Sequence, residues 1–125
     1  MNRLITIVFF TLLCISCGKK EETKANDSAT PAENPTELGK ALFEGTGNCF
    51  ACHKPDQKII GPSIQEIAKT YKMQGGDIVS FLKGESKPLV DPGQYEVMKT
   101  NFAITKNMSD EELNALEAYI DSFRK

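Results

Sequence analysis

Residues 36–125 are predicted to form an all-α domain, and three observations carry that prediction. Apolar residues there recur at spacings of three and four. Helix-start residues stand at Ser63, Asp77 and Ser109, each just ahead of an apolar run. No run alternates convincingly with period two, as a half-buried strand would. With 125 residues and 40% hydrophobic content, the chain has room for one domain with a small core and no internal repeat. The formal net charge of -2 gives no general affinity for nucleic acid or for anionic membrane, so any partner must be chosen through a local patch.

The chain opens with a segment that is not part of this domain. Arg3 supplies a positive charge, and Leu4 to Ile15 is an apolar run of signal-peptide length, too short to span a bilayer. The run ends Cys14-Ile15-Ser16-Cys17, which resembles the lipobox of bacterial lipoproteins, where a small residue precedes a cysteine that is acylated after cleavage. Ser16 is that small residue, so the resemblance implies lipidation at Cys17 rather than at Cys14, which follows the bulky Leu13. Cleavage as a plain signal peptide is the alternative. Residues 1–17 are thus expected to be removed up to Cys17 and to direct export. Residues 18–35 contain no aliphatic side chain larger than Ala and no aromatic, and are rich in Lys, Glu, Asn, Thr, Ser and Pro. Such a segment cannot bury enough to offset its ordering entropy and reads as a tether. As a coil it would span roughly 20 to 25 Å, and stretched about 55 to 60 Å.

The domain is expected to begin near Thr36. Leu38, Ala41, Leu42 and Phe43 place an apolar face on a first helix that stops at the turn Gly45-Thr46-Gly47. Gly39, inside it, costs about 1 kcal/mol against Ala, a cost either tolerated or required by close packing of another backbone. A second helix opens at Ser63, where Ser63 and Glu66 have the spacing of a capping box, and ends at Gly75-Gly76. A short third runs from Asp77 as N-cap to Gly84. In the last, Ser109 is the N-cap, Glu112 completes a capping box, and Met108 and Leu113 occupy the positions of a hydrophobic staple. Leu113, Leu116, Ile120 and Phe123 then follow at helical spacing, and Asp110, Glu111 and Glu112 sit at the positive end of the helix dipole.

The chemistry resides in Cys49-Phe50-Ala51-Cys52-His53, a C-x-x-C-H sequence whose spacing is that of c-type haem attachment. Two intervening residues put both sulfurs on one side of a single turn, each within reach of one haem vinyl group, and aim the next residue, His53, at the iron. A structural zinc would need four ligands, and this chain has a single His. A thioredoxin-like pair would need a βαβ context that the helical pattern does not offer.

Most of residues 36–125 resembles a class I cytochrome c domain. Gly39 and Phe43 lie shortly before the C-x-x-C-H motif, as in that family, where such residues cross the C-terminal helix and pack on its aromatic side chain, here Tyr119. Gly61-Pro62 is similar to the family's Gly-Pro, whose Pro carbonyl accepts a hydrogen bond from the proximal histidine. The resemblance implies a compact all-α fold of about four to five helices around one covalent haem c, with His53 as an axial ligand. Its function would be electron transfer between redox protein partners on the periplasmic side of a bacterial membrane, not enzymatic chemistry. A haem subunit of a larger oxidoreductase, or an open-site haem enzyme or sensor, are the alternatives. With one histidine in the chain, the sixth ligand is a Met, a Lys or an open site. Among the methionines, the family's pattern points to Met98, on the loop between the short helix and the last one; Met73 ends the second helix and Met108 belongs to the staple.

Overall fold

The computed structural model describes residues 34–125. The signal segment, Cys14, Cys17 and the tether up to residue 33 lie outside the described residues. The first helix, α1 (Pro35–Glu44), starts one residue ahead of the expected boundary, because Asn34 caps it: its Oδ1 accepts from the Thr36 N–H at 3.1 Å, and Pro35 occupies the first turn, where it has no bond to lose.

Three longer helices set the frame. α2 (Ile64–Gln74) follows Ser63, whose Oγ accepts from the Glu66 N–H at 3.2 Å. Only that half of the expected capping box is made, and Glu66 stays exposed to solvent. Gly75, at φ 62°, ends the helix in the left-handed conformation that only glycine adopts without strain. The short α3 (Ile78–Leu82) is capped by Asp77 as the sequence predicts. The last helix, here α6 (Asp110–Asp121), has the full box. Ser109 Oγ accepts from the Glu112 N–H at 3.2 Å, and the Glu112 carboxylate accepts from the Ser109 N–H at 2.8 Å.

Helices α1 and α6 cross with their backbones nearly touching. A Cβ on Gly39 would overlap the Ala115 carbonyl, lying 2.5 Å from its carbon and 2.8 Å from Tyr119 Cβ. The interior glycine is therefore required by the crossing. One turn further along, Phe43 packs on Tyr119 with ring centroids 5.3 Å apart, and Tyr119 meets Phe123 edge-on at 5.1 Å. Leu42, Phe43, Leu113, Leu116 and Ile120 continue this contact into the core, joined by Ile64, Ala68 and Tyr71 of α2. Met108 packs partly buried against the same cluster.

The stretch between α3 and α6 departs from the expected loop. After a 3₁₀ turn at Pro92–Gln94, the chain forms α4 (Tyr95–Met98), a second 3₁₀ turn at Lys99–Asn101, and α5 (Phe102–Thr105). Met98 is thus the last residue of a one-turn helix and not a loop residue. Each turn is too short to show a helical period in sequence. Contacts among Phe81, Tyr95 and Phe102, with centroids 5.5 to 6.2 Å apart, hold the run together. Thr105, fully buried, fastens it to α3 by donating from Oγ1 to the Leu82 carbonyl at 2.7 Å. Among the described residues there is no strand, only an isolated antiparallel bridge between His53 and Lys58.

Candidate functional site

Between α1 and α2 the chain makes one 3₁₀ turn, Cys49–Ala51, entered through Asn48 in the left-handed conformation at φ 52°. The N–H groups of Cys52 and His53 both bond to the Cys49 carbonyl, at 3.1 and 3.0 Å. This winds the five-residue motif into a single turn that presents both sulfurs and the imidazole to one cleft. Burial pushes the Cys49 thiol up to about 11, so it is held protonated, and its Sγ approaches the Gly47 carbonyl at 3.5 Å.

The orientation of His53 follows from its neighbours. Nδ1 lies 2.7 Å from the Pro62 carbonyl oxygen, which can only accept, so Nδ1 carries the proton and the Nε2 lone pair is free to bind a metal. Burial holds the ring below the usual imidazole value, against the opposing pull of the Pro62 carbonyl, and keeps it in the neutral form a ligand needs. Gly61 is pressed against the ring: a Cβ there would stand 2.5 Å from His53 Cε1 and 2.9 Å from Nδ1. The Gly-Pro pair thus does two tasks, and both depend on contact with His53.

The cleft beside this turn spans about 1170 Å³ when the solvent space in its mouth is counted. Its walls are mainly apolar. Ile64, Ile67 and Tyr71 come from α2, Phe81 and Leu82 from α3, and Met98 from the end of α4. Ile60 and Val97 also line it, yet stand 52% and 48% exposed, apolar surface that a flat apolar ring in the cleft would cover. His53 and Met98 line the same space, offering a nitrogen and a thioether sulfur. Met73 is 68% exposed and outside the cleft, and Met108 packs against the core.

Cys49, Cys52, His53, Pro62 and Met98, each named from the sequence, are therefore brought to one cleft. Cys17 lies outside the described residues. Sequence reasoning missed Asp91 and Asn101, which also line the cleft. Asp91-Pro92-Gly93 carried a turn signal, whereas nothing local marked Asn101.

The donor set, the apolar walls and the glycine under the imidazole all fit a planar macrocycle held through a C-x-x-C-H turn; the class that fold and site define is a c-type haem domain. A family model described as "Cytochrome c" matches residues 36–124. The chain belongs to the cytochrome c family, whose cofactor is covalently bound haem c. It is similar to a cytochrome c2 of Rubrivivax gelatinosus, with 50% identity over 48 residues, 38% of this chain and 46% of that protein. It is also similar to a cytochrome c-551 of Pseudomonas denitrificans, 38% identical over 40 residues, 32% of this chain and 48% of that protein. A cytochrome c2 of Rhodocyclus tenuis is 45% identical over 31 residues, 25% of this chain and 34% of that protein. The matched stretches thus span about half or less of the length of these relatives.

Proposed function

We propose that this chain is a mono-haem electron carrier. Its haem c would be held through thioethers from Cys49 and Cys52, which line the cleft. His53 Nε2 and Met98 Sδ would hold its iron. When bound, the haem supplies a one-electron Fe(II)/Fe(III) couple. The observation that carries this reading is the shared cleft: His53, with its proton committed to the Pro62 carbonyl, and Met98 line one apolar space. A thioether is a soft donor that favours Fe(II), and apolar walls disfavour the added charge of Fe(III), so both raise the potential. With His53 and Met98 both holding the iron, this chain's own donors would leave no place there for a substrate, which supports a carrier over an enzyme.

The polar residues 18–35 and the Ser16-Cys17 pair support the second part of the reading: the domain is exported and held by a lipid on Cys17 at the periplasmic side of a bacterial membrane, where a tether lets it move between redox protein partners. Among the described residues no helix is long and apolar enough to cross a membrane.

Met98→Ala tests the central claim. The sulfur-to-iron absorption band should vanish, the potential should fall and the reduced protein should bind CO. If no methionine substitution changes the spectrum, an open-site haem sensor or enzyme becomes the better reading. Cys17→Ser should move the protein from the membrane to the soluble fraction; a wild-type protein already soluble refutes the lipid.

A further inference from the structure

The segment that carries Met98 is fastened at both ends to the segment that carries the C-x-x-C-H motif. At its start, Asp91 Oδ2 accepts from Lys58 Nζ at 2.5 Å. Lys58 lies five residues beyond His53 and pairs with it through the isolated backbone bridge. At its end, Asn101 Nδ2 donates to the Gly47 carbonyl at 3.1 Å, two residues ahead of Cys49 and on the same oxygen that the Cys49 thiol approaches. These are the long-range hydrogen bonds of residues 91–101; the others there are local, such as Thr100 Oγ1 to the Val97 carbonyl and Lys99 to Glu96. Asp91 holds a left-handed backbone at φ 47°, a conformation that persists in a non-glycine residue where its surroundings over-determine it. Both Asp91 and Asn101 line the cleft.

A methionine side chain has three rotatable bonds and its thioether brings no charge to the metal, so its hold on an iron depends on how firmly the backbone beneath it is placed. We propose that Lys58–Asp91 and Asn101–Gly47 form a two-point clasp across the cleft, with Lys58, Asp91 and Asn101 as positioning residues that set how often Met98 leaves the iron. This inference rests on the reading of Met98 as the axial ligand. The two points differ in kind. Lys58 is exposed, so its ion pair is open to screening by salt. The Asn101 amide is part-buried and neutral, and salt should leave it unchanged.

The test uses the full-length oxidised holoprotein and imidazole as a competing sixth ligand, following loss of the sulfur-to-iron band at saturating imidazole, where the rate reports Met98 release. Asn101→Ala should raise that rate about 3- to 10-fold, the effect of one lost hydrogen bond. Asp91→Asn, which tolerates the left-handed backbone, and Lys58→Met should each raise it less, and the double variant no more than either alone. Salt at about 1 M should bring the wild type to the Asp91→Asn rate. A rate for Asn101→Ala within about twofold of wild type, with only a lower unfolding midpoint, means that the bond is merely structural and overturns the clasp. Should Asn101→Ala fail to take up haem, an unchanged rate in Asp91→Asn overturns the clasp instead. Met98→Ala separates the two claims: a band that survives it refutes the ligand, whereas its loss alongside wild-type rates in the clasp variants refutes the clasp alone.

Discussion

Replacing Gly61 by Ala adds one methyl group where the structure has no room for it. The new Cβ would stand 2.5 Å from His53 Cε1, 2.9 Å from Nδ1 and 3.1 Å from Nε2, whereas ordinary contact begins near 3.4 Å. The Gly61 N–H is itself bonded to the Cys52 carbonyl at 2.8 Å, so the backbone is not free to retreat, and the imidazole must move by most of an ångström. A shift of that size lengthens or bends the 2.7 Å bond from Nδ1 to the Pro62 carbonyl. Overpacking of this kind costs about 1–3 kcal/mol, and a lost hydrogen bond about 1 kcal/mol more. For a domain of this size each kcal/mol lowers the melting temperature by about 4–8 °C, so Gly61→Ala should melt about 8–30 °C below wild type. The iron should respond as well: an imidazole without its acceptor is a poorer donor, stabilises Fe(III) less, and should raise the potential. Thermal unfolding of the holoprotein and a redox titration read the two effects. Gly93→Ala is the control, since its Cβ would meet only Asp91 Oδ1 at an ordinary 3.7 Å. If both variants melt with the wild type and the potential does not move, the close packing of Gly61 on His53 does not govern the site.

Three further outcomes can be measured. Gly39→Ala should force α1 and α6 apart, because its Cβ would overlap the Ala115 carbonyl, and denaturant unfolding should show a larger loss than for any glycine outside that crossing. Thr105→Val should cost about 1–3 kcal/mol by leaving the buried Leu82 carbonyl without its donor, while Thr105→Ser should recover most of it; equal stability of the two would refute the bond's contribution. Hydrogen bonds from the Ser80 N–H at 2.7 Å and the Ser80 hydroxyl at 2.9 Å hold the Asp77 carboxyl below its ordinary value of 3.8. A depressed acid supplies stability above its unfolded pKa and loses it as pH falls through the folded one, so Asp77→Asn should melt below wild type at neutral pH, flatten the decline below pH 3.8 and converge with wild type in stronger acid.

What the sequence determined by itself was whatever is encoded within a few residues. The caps at Ser63, Asp77 and Ser109, the glycine stop at Gly75 and the faces of α1, α2 and α6 depend on contacts three or four positions apart, and all were legible. So was the motif, because Cys49, Cys52 and His53 share one turn. The helical turns of residues 92–105 were not legible, since each is shorter than the period that would reveal it and is held by Phe81, Tyr95 and Phe102 from separate elements. Gly39 left two readings open in sequence; the crossing of α1 on α6 decided between them. Asn101 gave no local signal, because its partner Gly47 is 54 residues away. Bonds of that span are made only once the helices have packed, and so the residues that close the cleft became visible in the tertiary structure alone.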